Sequence, residues 1–212
     1  MFGSIQVAIH DGDEAPALPA GIRIGMQRDR PMALRLFRPR GTRVAVLAGA
    51  VPAQLLAMRA AAAGATIRVQ SPRPQAWRPV LRHGATVSIA PPGAALPPPG
   101  TLDAPVLVVD DRPTEIGALG DAGPWQCRLD IRALMCPADL GAVTQADVLV
   151  LGQVGAAIAD ALAATISLSM SLIGQLAALG PGSVALVARG TIRYVSLDPS
   201  EGEAQLLAQG AR

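Results

Sequence analysis

Hydrophobic and polar positions alternate along the first part of the chain and then give way to unbroken apolar runs. Ile5, Val7 and Ile9 alternate with Gln6, Ala8 and His10, and Ile22-Arg23-Ile24 and Leu34-Arg35-Leu36 alternate around the polar turn Gln27-Arg28-Asp29-Arg30-Pro31. Period two marks a strand with one buried face, so residues 1–40 read as β-rich and contain a hairpin. From Thr42 the pattern changes. Val44-Ala45-Val46-Leu47 is apolar throughout, as in a strand covered on both faces. Pro52 fits a first helical position, Leu55, Leu56, Arg59 and Ala60 follow at helical spacing, and Gly64 closes the helix before a strand at Ala65–Val69. A βαβ unit of this kind forces parallel pairing.

A short helix around Trp77, Val80 and Leu81 ends at Gly84, and Thr86–Ala90 and Val106–Val109 read as further strands. Between them, Pro91–Pro105 holds six prolines and reads as a stiff surface linker. Trp125, Cys127, Leu129 and Ile131 alternate with Gln126, Arg128, Asp130 and Arg132, which predicts a strand with one wet face. Asp147–Leu151 repeats the buried-strand run. Val154, Ile158 and Leu162, then Leu168, Leu172 and Leu176, recur at helical spacing up to the stop at Gly180-Pro181. Val184–Ala188 and Thr191–Leu197 flank Arg189-Gly190 as a hairpin, and Asp198-Pro199-Ser200-Glu201 reads as an Asp-capped start of a last helix. The expected fold class is therefore α/β in one domain, 1–212. An N-terminal β-hairpin region (1–40) precedes a Rossmann-like part (41–212) whose mixed, largely parallel sheet has flanking helices, with a C-terminal β-hairpin plus helix.

Composition narrows the chemistry. The chain of 212 residues is 50% hydrophobic, carries a net charge of +2 and has only 2% aromatic residues, which excludes extensive disorder. All 18 basic residues are Arg, so Schiff-base, P-loop and kinase-type lysine mechanisms are excluded. Cys127 and Cys136 match neither a CxxC nor a zinc pattern and read as reduced thiols. The start, Met1 to Ile5, lacks the basic region of a signal peptide and soon reaches Asp11 and Asp13. The stretch Ala161–Leu179 has the length of a membrane span. Its Thr165, Ser167, Ser169, Ser171 and Gln175, and the lack of a nearby Arg anchor, favour a buried helical pair instead.

Few residues suggest catalysis. Gly49, in the turn Ala48-Gly49-Ala50-Val51-Pro52, lies where a Rossmann fold holds phosphate, but a dinucleotide fingerprint needs three glycines. The acid expected after the next strand is replaced by Gln70-Ser71-Pro72-Arg73, where Arg73 would suit a 2′-phosphate. Asp110 and Asp111 follow a buried strand, a position where paired acids hold metals or close a solvated turn. His10 and His83 fall in unrelated segments, and no GxSxG, HExxH or P-loop is present. These readings name no cofactor and no metal. The most distinctive charge feature is Arg23, Arg28, Arg30, Arg35, Arg38, Arg40 and Arg43, among which Asp29 is the only acid. Such a surface suits an acidic partner protein or an anionic membrane. Without interleaved aromatics it does not suit nucleic acid.

Several stretches in order also resemble a known family. They include Gly21-Ile22-Arg23-Ile24-Gly25, Arg30 to Pro39, Thr42 to Gly49, Gln54 to Ala60, Gly64 to Val69 and Arg73 to Trp77. Gly123-Pro124-Trp125-Gln126, Ala146 to Leu151 and the end from Val184 to Leu207 continue the series. Together they resemble the cytosolic domain of EccE, a component of actinobacterial type VII (ESX) secretion systems. The resemblance implies a non-enzymatic scaffold on the cytoplasmic face of the inner membrane, with EccB-, EccC- and EccD-like partners and no catalytic residues. EccE proteins typically begin with two transmembrane helices, which this sequence does not show. The residues alone leave a second reading open, a degenerate nucleotide- or nucleotide-sugar-binding enzyme built around Gly49, Asp110 and Asp111.

Overall fold

The protein's computed structural model describes residues 21–83, 86–91, 94–112, 120–132, 141, 143–166, 169–188 and 190–210. The proposed strand at Ile5–Ile9, His10, Gly84, Cys136, Leu168 and Arg189 lie outside the described residues. The strands are β1 (Ile22–Gln27), β2 (Arg30–Leu34), β3 (Thr42–Leu47), β4 (Thr66–Gln70), β5 (Val87–Ala90), β6 (Val106–Asp110), β7 (Gln126–Ile131), β8 (Val148–Leu151), β9 (Ser183–Ala188) and β10 (Thr191–Leu197). They form one sheet in the order β2-β1-β10-β9-β8-β3-β7-β6-β4-β5. From β8 to β5 every pair is parallel, and from β8 out to β2 every pair is antiparallel. The expected Rossmann-like α/β fold is thus present, and the N-terminal hairpin is the outer end of the same sheet.

The helices are α1 (Ala50–Ala62), α2 (Arg78–His83), α3 (Ala156–Ile166), α4 (Met170–Ala177) and α5 (Glu201–Gly210), with a 3-10 turn at Pro74–Trp77 before α2. One face of the sheet packs against α1, α2 and α5. Ile24, Met32, Leu55, Met58, Ile67, Leu129 and the fully buried Trp77 belong to this core. On the other face, α3 and α4 cover Ala45, Leu47, Leu149, Leu151, Ala185 and Val187 with Ala159, Leu162, Leu176 and Leu179. Unbroken apolar runs in β3 and β8 follow from this double cover, since both pleat directions point into a core.

Local details depart from the sequence reading where chemistry elsewhere decides them. Helix α1 begins at Ala50, two residues before Pro52. The β1–β2 turn is two residues long, with Arg28 and Asp29 both left-handed at φ 46° and 65°. That geometry matches the twist of a hairpin but usually recruits Asn-Gly. Gly25 lets β1 approach β10 closely, because a Cβ there would sit 2.2 Å from the Ser196 carbonyl oxygen. The last helix is capped by Ser200, not Asp198. The Ser200 N–H donates to Glu203 Oε2 (2.7 Å) and the Glu203 N–H to Ser200 Oγ (3.3 Å), a reciprocal capping box. The helical pair α3–α4 is half-buried instead of enclosed: Ala157, Asp160, Ala161, Ala164, Ser171 and Gln175 face outward.

The largest correction concerns β7. Its polar side is not wet, because all six of its residues are buried. The proline-rich segment is likewise no free linker. It lies across this polar face, where Gln126 Nε2 donates to the Pro97 carbonyl (3.0 Å) and Gln70 Nε2 to the Ala94 carbonyl (2.8 Å). A proline carbonyl is a ready acceptor with no N–H of its own to satisfy, which suits such a cover.

Candidate functional site

In open parallel sheets, ligands and catalytic groups gather at the carboxyl ends of the strands. Here those ends carry the Gly49 turn after β3, Ser71 and Arg73 after β4, Asp110-Asp111-Arg112 after β6 and Arg132 after β7. Asp110, 1% exposed, is the centre of a buried ion cluster. Its Oδ1 accepts from Arg112 Nε at 2.7 Å, and its Oδ2 accepts from Arg112 Nη2 and Arg132 Nη2, each at 3.2 Å, and Arg128 Nη2 at 3.4 Å. On the neighbouring strand, Asp130 accepts from Arg128 Nε (2.5 Å) and Arg43 Nε (2.8 Å). Register explains the chain of pairs: Asp110 stands beside Asp130, and Arg128 beside Arg43, all on the same pleat.

The cluster fixes its own protonation. Burial alone would raise the Asp110 carboxyl, but its hydrogen bonds to Arg112 and the charges of Arg132 and Arg112 outweigh that and hold it below the usual carboxylate range. Burial also draws the Arg128 guanidinium down from its ordinary value, against the pull of Asp130. An acid held ionised and surrounded by guanidinium donors is a poor proton donor and has no open lone pair for a metal.

Asp111 is committed elsewhere. It accepts from Ser71 Oγ (2.7 Å), Trp77 Nε1 (3.1 Å) and Arg73 Nη2 (2.8 Å), while its own N–H donates to the Gln70 carbonyl (2.9 Å). It therefore pins the 3-10 turn and Trp77 to the end of β6. Arg73, considered above for a 2′-phosphate, is one of its partners. The two adjacent acids thus serve separate structures, and among the described residues no group of His, Cys, Asp and Glu is placed to hold a metal ion.

Gly49 caps α1 with φ 74°, a conformation that favours glycine, and a Cβ there would meet nothing within 4 Å. Next to the turn is a cavity of about 310 Å³ bordered by Ala48, Val51, Gly152, Gln153 and the Gly180–Gly182 turn, with no ionisable side chain among its described lining. Strand order separates this turn from the other candidates. In a dinucleotide fold the strand after the first crossover lies beside the first, but here β7 and β6 stand between β3 and β4. At about 4.8 Å per strand, Gly49 and Arg73 lie at strand ends roughly 14 Å apart.

The arginines divided among positions 23 to 43 do not form one surface. Arg23 pairs with Asp198 beside α1, and Arg28 and Arg30 are exposed at the hairpin turn. Arg35 is half-buried. Arg38 is only 5% exposed, so it belongs to no accessible surface, and burial draws its guanidinium down from the ordinary value despite the nearby Asp147. Its Nη2 lies 3.0 Å from Asp147 Oδ2, and Arg40 Nη2 lies 3.2 Å from Oδ1 of the same residue. Arg38, Arg40 and Arg43 thus gather at the amino end of β3 around Asp147 and Asp130.

Two arrangements escape the sequence reading: the Asp110–Arg128–Asp130 cluster, and a latch in which Arg59 of α1 grips Glu203 of α5. The only signal for the first was the charged series Arg128, Asp130 and Arg132 at alternate positions, which periodicity assigns to solvent. His83 ends α2 half-buried, and Cys127 is buried with its thiol pushed far up by desolvation. No protein-family model matches this chain, and no curated protein matches it.

Proposed function

We propose that this chain is a non-enzymatic structural subunit of a type VII (ESX) secretion membrane complex, packing on EccB-, EccC- and EccD-like subunits at the cytoplasmic face of the membrane. The observation that carries the non-catalytic part is the saturation of the strand-end acids. Asp110 and Asp111 spend their oxygens on Arg112, Arg128, Arg132, Arg73, Ser71 and Trp77. The sequence resemblance to EccE supplies the partners. No helix of the described residues is long and apolar enough to cross a membrane. An affinity pull-down of the tagged chain from detergent-solubilised membranes of an organism with its own secretion locus tests it. Recovery of the three partner types is expected, and recovery of the chain alone would overturn the assignment.

The Gly49 turn and its neighbouring cavity favour a second reading, a nucleotide-binding protein. Thermal shift with nucleotides and Mg²⁺ or Mn²⁺ separates the two. A ligand at 100 times its Kd stabilises the fold by about 2.7 kcal/mol, and the scaffold reading expects no shift.

A further inference from the structure

Among the described residues the sheet has ten strands, and its two outer ones, β2 and β5, are not alike. β2 begins Arg30-Pro31, and a proline with a neighbouring charge is a usual guard against edge pairing. β5 reads Val87-Ser88-Ile89-Ala90, with no proline, charge or bulge. Its hydrogen bonding follows from the parallel ladder. The Ile67 N–H donates to the Thr86 carbonyl, so Ile67 and Val69 of β4 bond the even-numbered residues of β5. The N–H and C=O groups of Val87 and Ile89 consequently point away from the sheet, and no described residue meets them.

The stretch of chain that carries this edge is basic. No acidic residue occurs in the sequence between Asp29 and Asp103. Helix α2 packs beside β5 and presents exposed Arg78 and Arg82, with Leu81 36% exposed between them. Arg82 has a neutral partner, Gln209. On the opposite pleat, Arg68 stands in register with Ser88, and its Nε is buried with no hydrogen-bond partner among the described residues. A second copy of the chain is a poor occupant. Pairing β5 with β5 would bring Arg78 and Arg82 of both copies together, and pairing with β2 would meet Pro31.

We propose that the free edge of β5 is a strand-docking site that adds an extended, acidic segment of a partner protein as an eleventh strand. Outward backbone groups of Val87 and Ile89 supply affinity, while Arg68, Arg78, Arg82 and Leu81 select carboxylates and an apolar residue. This inference is independent of the secretion-complex reading, because its test uses no membrane complex.

The test is hydrogen exchange of the full chain with a short peptide alternating valine and glutamate, against a matched valine–lysine peptide. The glutamate peptide is expected to slow the Val87 and Ile89 amides at least tenfold, with Ser88 and Ala90, already bonded to β4, changing little. No slowing, or equal slowing by the lysine peptide, overturns the proposal. Ile89→Pro removes an outward N–H that the fold does not use and places its ring in the docking path, and about a tenfold loss of binding is expected. Should that variant fold poorly, Arg78→Glu with Arg82→Glu decides: binding of the glutamate peptide must fall and that of the lysine peptide rise. Unchanged preference in that variant overturns the proposal.

Discussion

Removing the charge of Arg59 is the most informative perturbation of the fold, because one guanidinium ties α1, β1 and α5 to the connection between β10 and α5. Its Nε and Nη2 donate to Glu203 Oε1 and Oε2, each at 2.8 Å, and Nη2 also donates to the Asp198 carbonyl at 2.8 Å. Nη1 reaches the Arg23 carbonyl (3.2 Å) and Asp198 Oδ1 (3.4 Å). Arg59→Met keeps the aliphatic stem and deletes only the head. Breaking a buried pair from one side costs about 3–5 kcal/mol, and since 14% of the Arg59 side chain remains in contact with solvent, the lower end applies, about 3 kcal/mol. For a domain of this size that lowers Tm by roughly 6–12 °C. Replacing both partners, Arg59→Met with Glu203→Leu, removes the stranded carboxylate, so the pair is expected to show a coupling of about 2 kcal/mol in a double-mutant cycle. Urea unfolding followed by the fluorescence of Trp77 and Trp125 measures the free-energy cost and the coupling.

Linkage supplies an independent check on the same latch. Burial alone would raise the Glu203 carboxyl, but the hydrogen bonds from Arg59 and the Ser200 N–H outweigh it and leave the group below its ordinary value of 4.5. A depressed folded pKa contributes stability above the unfolded value and loses it as pH falls through the folded one. The wild type should therefore lose this contribution below about pH 4.5, and Arg59→Met should flatten that part of the profile. A cost under about 1 kcal/mol for Arg59→Met, or strict additivity in the cycle, would refute the argument that α5 is held by this pair.

Three further outcomes are expected. Asp111→Ala should cost about 3 kcal/mol in urea unfolding, because it strands the Ser71 hydroxyl and the Trp77 indole N–H in the interior. With burial raising the Cys127 thiol, its peptide should stay unalkylated by iodoacetamide at neutral pH in the folded chain and react fully in urea, as read by mass spectrometry. Arg28→Asn with Asp29→Gly, which suits the two left-handed positions of the β1–β2 turn, should raise stability by about 1 kcal/mol, measured as an increase in Tm.

How far the sequence spoke depends on which physical effect placed each residue. Strands β3, β6 and β8 and helix α1 were legible because burial on two faces, or on one helical stripe, writes its period directly into the chain. The same rule misleads at β7. Alternation reports that Gln126, Arg128 and Asp130 share a side, but it reports nothing about what lies over that side. Water and a proline-rich segment are equally compatible with polar residues there, and the structure supplies the segment, with Asp110, Arg43 and Arg132 completing the charges.

Short-range competition explains another departure. Asp198 and Ser200 both suit a helix cap, yet Asp198 is drawn to Arg59 and Arg23, which leaves the cap to Ser200 and its partner Glu203. The Ser-x-x-Glu spacing at 200–203 carried that signal locally. The candidate site follows the same logic. Asp110 and Asp111 look catalytic in sequence because their position after a parallel strand is where such acids work. Whether an acid there is open or spent depends on partners from other parts of the chain: Arg128 and Arg132 for Asp110, and Ser71, Arg73 and Trp77 for Asp111. A strand-end acid is evidence of chemistry only when its oxygens are free, and here arginines, with Ser71 and Trp77, have taken them.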